Sequence, residues 1–266
     1  MSVRPLASAV VAVALLSTAA DAQWLNQKSP ATPRLADGTP NLAAPVPRAA
    51  DGKPDLSGVW EVVGDRVMPT DGRVRSKYVY DIASDLPDGA PFLPWAKTLH
   101  EQRQKGLGVG APTERCLPHG IPDAMLTRTL PFKIIQTPGV TIILFEEFNN
   151  WRQVFTDGRA LPVDPQPAWV GYSVGSWDGD TFVIRTSGFN DKSWLDAGGT
   201  PHTEALQTAE RMRRVDFGHM EIEFTFDDPK TFTKPWSALV KFNLLPDTDL
   251  LEFHCDNEKW TERSRQ

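Results

Sequence analysis

The sequence predicts an all-β protein: a meander of antiparallel strands that closes, or nearly closes, into a calycin-like β-barrel with one short helix outside. Apolar and polar residues alternate in roughly ten short runs, and a period of two is typical of strands with one buried face. Turn sequences separate consecutive runs. The clearest is Trp177-Asp178-Gly179-Asp180, because an Asp-Gly pair favours a hairpin. Closure removes unpaired strand edges, so a barrel is favoured over the alternative, a β-sandwich.

The predicted elements follow the chain in order. The first strand precedes an irregular, Pro-rich stretch and the helix Trp95–Gly106, in which Trp95 and Leu99 share a face and Gly106 ends the helix. Beyond residue 131, turn pairs such as Pro138-Gly139 separate the strands. The strands are predicted at Leu56–Val63, Phe132–Thr137, Val140–Phe148, Trp151–Phe155, Trp169–Ser176, Thr181–Thr186, Thr208–Asp216, His219–Phe226, Trp236–Leu245 and Asp249–Cys255.

Residues 1–22 have the pattern of a signal peptide. Arg4 supplies a positive charge, an apolar segment of about 15 residues follows, and Ala20-Asp21-Ala22 fits a cleavage site. An uncleaved anchor is the alternative, but this segment is short for a membrane span, and no later run approaches ~18 apolar residues. We therefore expect a periplasmic or secreted protein. Residues 23–53 would form an extended arm and residues 54–266 a single β-barrel-like domain.

The composition limits the partners. The formal net charge is -6 and no basic cluster is present, so nucleic acid is not an expected partner. The hydrophobic content of 40% supplies a sizeable core, and the nine Trp add aromatic surface suited to a small-molecule ligand. The histidines show no metal-ligand spacing, so neither a metal nor another cofactor is predicted. The sequence leaves a homodimer open.

The chain has two cysteines, Cys116 and Cys255. In an exported protein they predict a disulfide that ties the C-terminal strand to the loop before the central sheet. Two free thiols are one alternative. A metal site formed by Cys255 and His254 is another, although adjacent side chains in a strand point to opposite faces.

The candidate catalytic residues lie after the central hairpin or at the end of an apolar strand. His202 and Glu204 occur in Pro201–Leu206, near Asp191, and imidazole is the usual side chain for proton transfer near neutrality. Glu146 ends an apolar run, where burial would raise its pKa. Structural roles are the alternatives. His202 would then be an ordinary loop residue, and Glu204 would be an acidic residue near a helix N-terminus. Glu146 would form a buried ion pair with Arg152, Arg211 or Arg213.

The candidate binding residues are aromatic and polar side chains predicted to line a pocket or the rim of the barrel, where ligand contacts are common. Arg152 and Lys234 would steady negative charge that develops on a substrate. The full set comprises Trp151, Trp194, Trp236, His119, Asn190, Arg152 and Lys234.

Six motifs together resemble a family of exported bacterial proteins, known mainly as uncharacterised proteins of acidobacteria and proteobacteria. The resemblance covers most of the mature chain and implies secretion and a single domain, but no activity. The motifs are PDLSGVW (Pro54–Trp60), RCLP (Arg115–Pro118), GYSVGSWDGDT (Gly171–Thr181), GFND (Gly188–Asp191), PHTEAL (Pro201–Leu206) and TKPW (Thr233–Trp236).

Two functions fit these features. The first is a cofactor-independent lyase or isomerase, or a hydrolase, in which His202 or Glu146 moves a proton on a small apolar or aromatic compound. The second is a lipocalin-like protein that binds a small hydrophobic ligand without converting it. The ionisable groups between residues 190 and 204 favour the enzyme. A serine hydrolase is disfavoured because the G-x-S-x-G sequence of this chain, Gly171–Gly175, lies in a predicted strand and not at a strand-to-helix turn.

Overall fold

The computed structural model of the chain describes residues 28–63, 81–84, 86–106, 108–127 and 130–255. The predicted signal peptide, residues 1–22, lies outside the described residues. In chain order the elements are β1 (Gly58–Val62), α1 (Pro94–Lys105), a 3-10 turn (Pro112–Arg115), α2 (Asp123–Leu126), β2 (Phe132–Thr137), β3 (Val140–Phe145), a second 3-10 turn (Glu147–Asn149), β4 (Asn150–Phe155), β5 (Tyr172–Asp178), β6 (Thr181–Ser187), β7 (Gln207–Arg214), β8 (His219–Asp227) and β9 (Trp236–Leu244).

The strands β1 to β9 form one closed barrel in sequence order, and β9 pairs back onto β1 with Leu244 opposite Trp60. The prediction of an all-β barrel with a short helix outside is confirmed. Neighbouring strands are antiparallel except β4 and β5, which run parallel with Val154 opposite Ser173. This pair departs from the predicted meander because residues 156–171 carry the chain back along the barrel before β5 begins.

Residues 146–148 and 249–255 were predicted as strand, but the structure has no strand there. β3 ends at Phe145, because the chain turns at Phe148 and Asn149, whose φ angles are 60° and 48°. Residues 249–255, predicted as a tenth strand, have no strand structure and lie against the loop after β3. In this region side chains form hydrogen bonds with the backbone. Leu251 N–H donates to the Glu146 carboxylate at 2.7 Å, and the Asn149 side-chain amide donates to the Phe253 carbonyl at 2.7 Å.

The inside of the barrel is packed with side chains. Alternate residues of each strand point inward and interdigitate as a core, as in barrels of this strand number. One charged pair lies among them: Arg152 of β4 donates to Glu210 of β7 at 2.6 and 3.0 Å, and both side chains are fully buried. The large apolar members with less than 2% exposure include Trp60, Phe132, Phe182, Phe224, Phe226 and Phe242.

The barrel has two different ends. The lower end carries the tight turns at Pro138-Gly139, Gly179 and Phe217-Gly218, and residues 28–57 cross it. Residues 23–53 were predicted as an extended arm. The described part, from residue 28, forms bridged turns, and the Leu42 carbonyl accepts a hydrogen bond from Gly218 N–H at 2.7 Å. Arg48 also forms a salt bridge with Asp180 at 2.7 Å. The segment therefore covers the lower end.

The upper end carries the loops after β1, β3, β6 and β8, of which those after β1 and β6 are the longest. Most of the ionisable side chains predicted to act chemically lie in these loops. The disulfide Cys116–Cys255 is confirmed, with the two Cα atoms 5.6 Å apart, and it joins the loop before α2 to the C-terminal segment at this end. Within the described part of the chain, no helix is long and apolar enough to cross a membrane.

Candidate active site

A cavity of about 170 Å³ opens at the upper end, between the loop that precedes α2 and the loop between β6 and β7. Its walls are mostly apolar, and two ionisable side chains, His119 and Asp123, reach it. We call it the upper cavity. It is lined by Gly108, Ala111, Pro112, Thr113, Pro118, His119, Asp123, Trp194 and Ala197.

His119 lies between two carboxylates. Its Nδ1 is hydrogen-bonded to Asp123, which opens α2 four residues later, and its Nε2 lies 2.7 Å from Glu147 Oε2. The side chains of His119, Asp123 and Glu147 are 11%, 8% and 12% exposed. Phe148 packs against the imidazole with ring centroids 5.8 Å apart, and Phe253 of the C-terminal segment covers Phe148 in turn.

The two carboxylates decide the charge of His119. Burial alone lowers the pKa of the imidazole, but Asp123 and Glu147 outweigh burial and raise the pKa to about 10. His119 is therefore an imidazolium at neutral pH; its Nδ1 is hydrogen-bonded to Asp123, and its Nε2 lies within ion-pair distance of Glu147. The three side chains together carry one net negative charge beside the upper cavity.

Trp194 forms the opposite wall. Its side chain is almost buried, and the Arg103 guanidinium of α1 lies 4.5 Å from the centre of its ring. Arg103 also donates to the Gly199 carbonyl at 3.1 Å. Burial lowers the pKa of Arg103 to about 10, so this side chain still carries its charge at neutral pH.

Asp196 fixes the backbone next to Trp194. Its fully buried carboxylate accepts hydrogen bonds from the amides of Ile82 and Thr200 and from the Thr200 hydroxyl, all at 3.0 Å. Burial raises the pKa of Asp196, and the nearby Asp81 carboxylate raises it further. These bonds tie the loop between β6 and β7 to the segment that follows β1.

His202 lies behind the cavity wall. Its Nε2 is 2.8 Å from Ser193 Oγ, and its Nδ1 is 3.2 Å from the Thr203 carbonyl. Burial lowers the pKa of His202, so the ring is neutral; Nδ1–H donates to the carbonyl and Nε2 accepts from the serine hydroxyl. Gly120 packs directly on Ser193, where a Cβ would collide with the hydroxyl. His202 thus holds the residue before Trp194 and does not line the upper cavity.

Glu146 pairs with none of its three predicted arginine partners. Glu146 does not face the barrel interior, because β3 has already ended; its carboxylate accepts from Leu251 N–H, and burial raises its pKa. Arg152 points inward and binds Glu210 instead, so it is out of reach of a substrate. The other proposed partners of Glu146, Arg211 and Arg213, bind Asp178 and Glu221 on the barrel surface.

The remaining predicted site residues are dispersed. Glu204, Asp191 and Lys234 are exposed, and Trp151 is 55% exposed on the outer wall of the barrel. Trp236 is buried in the core, where its ring centroid is 4.5 Å from that of Phe226. Asn190 is buried and accepts from Lys192 N–H at 3.1 Å. Of the predicted set, the structure places only His119 and Trp194 at the upper cavity.

The predicted set of site residues does not include Asp123, Glu147, Asp196 or Arg103. A signal for the first was present, since Asp123 follows His119 by four residues and lies at the start of a helix. Glu147 stands next to Glu146, but its carboxylate contacts His119, whereas that of Glu146 binds the C-terminal segment. The contacts of Asp196 and Arg103 depend on how distant loops meet, which local sequence does not reveal.

The fold defines the class of this protein: a closed β-barrel that fits the calycin-like architecture, with a packed interior and a charged cavity at its upper end. No protein-family model, curated protein or solved structure matches the chain.

Proposed function

We propose that this chain is an exported enzyme that acts on a small apolar or aromatic compound by acid–base chemistry, without a cofactor, as a lyase or isomerase. The observation that carries the proposal is the placement of His119 between Asp123 and Glu147 at the floor of the upper cavity. A carboxylate base next to a fixed cation suits proton abstraction, because the cation stabilises the negative charge that develops.

Each side chain has a separate task in this proposal. Asp123 reaches the cavity and takes a proton from the substrate. The Nδ1–H of His119 is shared between Asp123 and a substrate oxygen on which negative charge develops. Glu147 binds the opposite ring nitrogen and keeps the imidazole oriented and protonated. Hydrolysis of a small ester would use the same groups, with Asp123 activating a water molecule instead.

Export is supported by two features. The first 22 residues have the signal-peptide pattern. The disulfide Cys116–Cys255 is of a kind that persists in oxidising compartments. The proposal therefore places the protein in the periplasm or outside the cell.

Ligand binding without conversion is the competing function. A ligand inside the barrel, as in lipocalins, is disfavoured because aromatic side chains and the Arg152–Glu210 pair fill the described interior. A carrier would therefore use the upper cavity as well. Conversion of a bound compound separates the two functions.

The test has two stages. First, a panel of small aromatic and terpenoid compounds is screened for thermal stabilisation, since a ligand of the native state raises the melting temperature. Compounds that bind are then followed by proton NMR for conversion by the wild type, Asp123→Asn and His119→Gln. We expect each variant to lower turnover about 10²–10⁴-fold.

The chain offers a matched control. His219 and Asp216 form a similar pair at 2.7 Å on the lower end, where the His219 side chain is 45% exposed. Asp216→Asn and His219→Gln should leave turnover unchanged. If the wild type binds a compound without converting it, the carrier function is favoured. If turnover falls equally in both sets of variants, the loss does not depend on the upper cavity and the proposed site is wrong.

A further inference from the structure

We infer that the upper cavity recognises a neutral, single-ring compound that carries one hydroxyl group, with phenol as the simplest example. The inference rests on the proposed function, because it names the substrate class of the same site. It is carried by three observations: the size of the cavity, the chemistry of its walls, and the pairing of His119 with Asp123 at its floor.

The volume limits the ligand to about one ring. The cavity measures about 170 Å³, and an engineered apolar cavity of about 150 Å³ in another protein holds benzene. Two fused rings, or a ring with a long substituent, would therefore project out of the mouth. A single aromatic ring fills the space.

The walls select an apolar, flat body. Pro112 and Pro118 form part of one side, and Trp194 and Ala197 form part of the other, so most of the lining offers no hydrogen bond. The indole of Trp194 is held in place by the Arg103 guanidinium at 4.5 Å. Aromatic rings pack favourably against such a face in stacked or edge-on geometry.

The floor selects a neutral hydroxyl group. The Asp123 carboxylate accepts hydrogen bonds, whereas the His119 imidazolium donates them. A hydroxyl group does both at one atom. It donates to Asp123 and accepts a share of the Nδ1–H of His119, so both charged groups keep a partner when water leaves the cavity.

Charged ligands are disfavoured for the same reason. A carboxylate would lie beside Asp123 and Glu147 and add a third negative charge at the same point. An ammonium group bound to Asp123 would lie next to the imidazolium, which brings two positive charges together. A hydrocarbon avoids both penalties but leaves Asp123 desolvated and without a new donor.

The experiment compares four probes of similar size near neutral pH by isothermal titration calorimetry: phenol, benzoate, benzylamine and toluene. Phenol should bind the wild-type protein at least about tenfold more tightly than each of the other three, the effect expected for a hydrogen bond to a charged group. Asp123→Asn should reduce this preference over toluene.

Two variants fill the cavity from opposite walls without changing its charged groups. Ala197→Leu and Thr113→Leu should abolish phenol binding, and Ala160→Leu, at an exposed position outside the cavity, is the control. Circular dichroism establishes that each variant is folded. If one filling variant does not fold, the other carries the test.

The outcomes separate the inference from the proposed function. Benzoate or benzylamine binding as tightly as phenol, and blocked by the filling variants, overturns the ligand class but leaves the site in place. Phenol binding that survives both filling variants lies elsewhere and overturns the inference. If no probe binds while a larger panel compound is converted in an Asp123-dependent manner, the ligand class fails and the proposed function stands.

Discussion

Replacing Arg152 by methionine tests how the charged pair inside the barrel is stabilised. The guanidinium donates to Glu210 at 2.6 and 3.0 Å, to Ser173 Oγ at 2.9 Å and to Thr186 Oγ1 at 2.6 Å. The side chains of Arg152 and Glu210 have no exposed surface. Arg152→Met therefore leaves the Glu210 carboxylate buried without a cation.

The expected cost follows from that geometry. Breaking a buried ion pair by removing one partner costs about 3–5 kcal/mol, because the remaining charge stays desolvated. For a domain of this size, 1 kcal/mol shifts the melting temperature by about 2–4 °C, so a loss of about 4 kcal/mol lowers it by about 8–16 °C.

The double variant Arg152→Met/Glu210→Leu should recover most of this loss. An apolar replacement of the whole pair is often neutral or stabilising, since no charge remains to be desolvated. The hydroxyl groups of Ser173 and Thr186 lie 3.0 Å apart, so they keep each other as hydrogen-bond partners. A double-mutant cycle with both single variants measures the coupling between Arg152 and Glu210.

The assay is urea unfolding followed by tryptophan fluorescence and circular dichroism. Arg48→Met is the control, because Arg48 is 48% exposed in its salt bridge with Asp180 and solvent screens that pair. Its midpoint should stay near that of the wild type. The reasoning is refuted if Arg152→Met unfolds at the same urea concentration as Arg48→Met, or if the double variant is no more stable than the weaker single variant.

Three further predictions concern the upper end. Cys116→Ser/Cys255→Ser should lose about 2–5 kcal/mol in the same unfolding assay through removal of the cross-link, and an unchanged midpoint would contradict this. Asp123 and Glu147 raise the pKa of His119 to about 10, against about 6.5 in the unfolded chain. The stability that these contacts contribute is therefore fully present below about pH 6.5 and is lost as the pH rises towards 10. His119→Gln should therefore show a smaller alkaline fall in melting temperature, and matching pH profiles would count against the imidazolium. Gly120→Ala should lower the free energy of unfolding by about 1–3 kcal/mol through overpacking against Ser193. An unchanged melting temperature in calorimetry would be evidence against this overpacking.

Local patterns were sufficient for most of the barrel. Alternation of apolar and polar residues predicted β2 at its observed limits, and the Asp178-Gly179 turn predicted the hairpin of β5 and β6. The helix α1 lies within one residue of its predicted limits. Each of these signals lies in a few consecutive residues, so no distant contact is needed to interpret it.

The candidate site required the tertiary structure. His119, Glu147 and Trp194 belong to three separate loops that meet at the upper end of the barrel. His202, a prominent candidate in the sequence, is buried behind the cavity wall with Ser193. The sequence marks side chains that can move protons, but it does not contain the distances between them.

The sequence alone determines the class of fold, the order of strands β1 to β9 and the pair of cysteines, because periodicity, turn residues and composition are local or global properties of the chain. The tertiary structure decides that β4 and β5 run parallel, that Arg152 binds Glu210 inside the barrel, and that His119 lies between Asp123 and Glu147. These contacts join residues that are distant in the sequence. The pKa of a side chain is strongly shifted only by groups within a few ångströms, so the chemistry of that side chain depends on the fold around it.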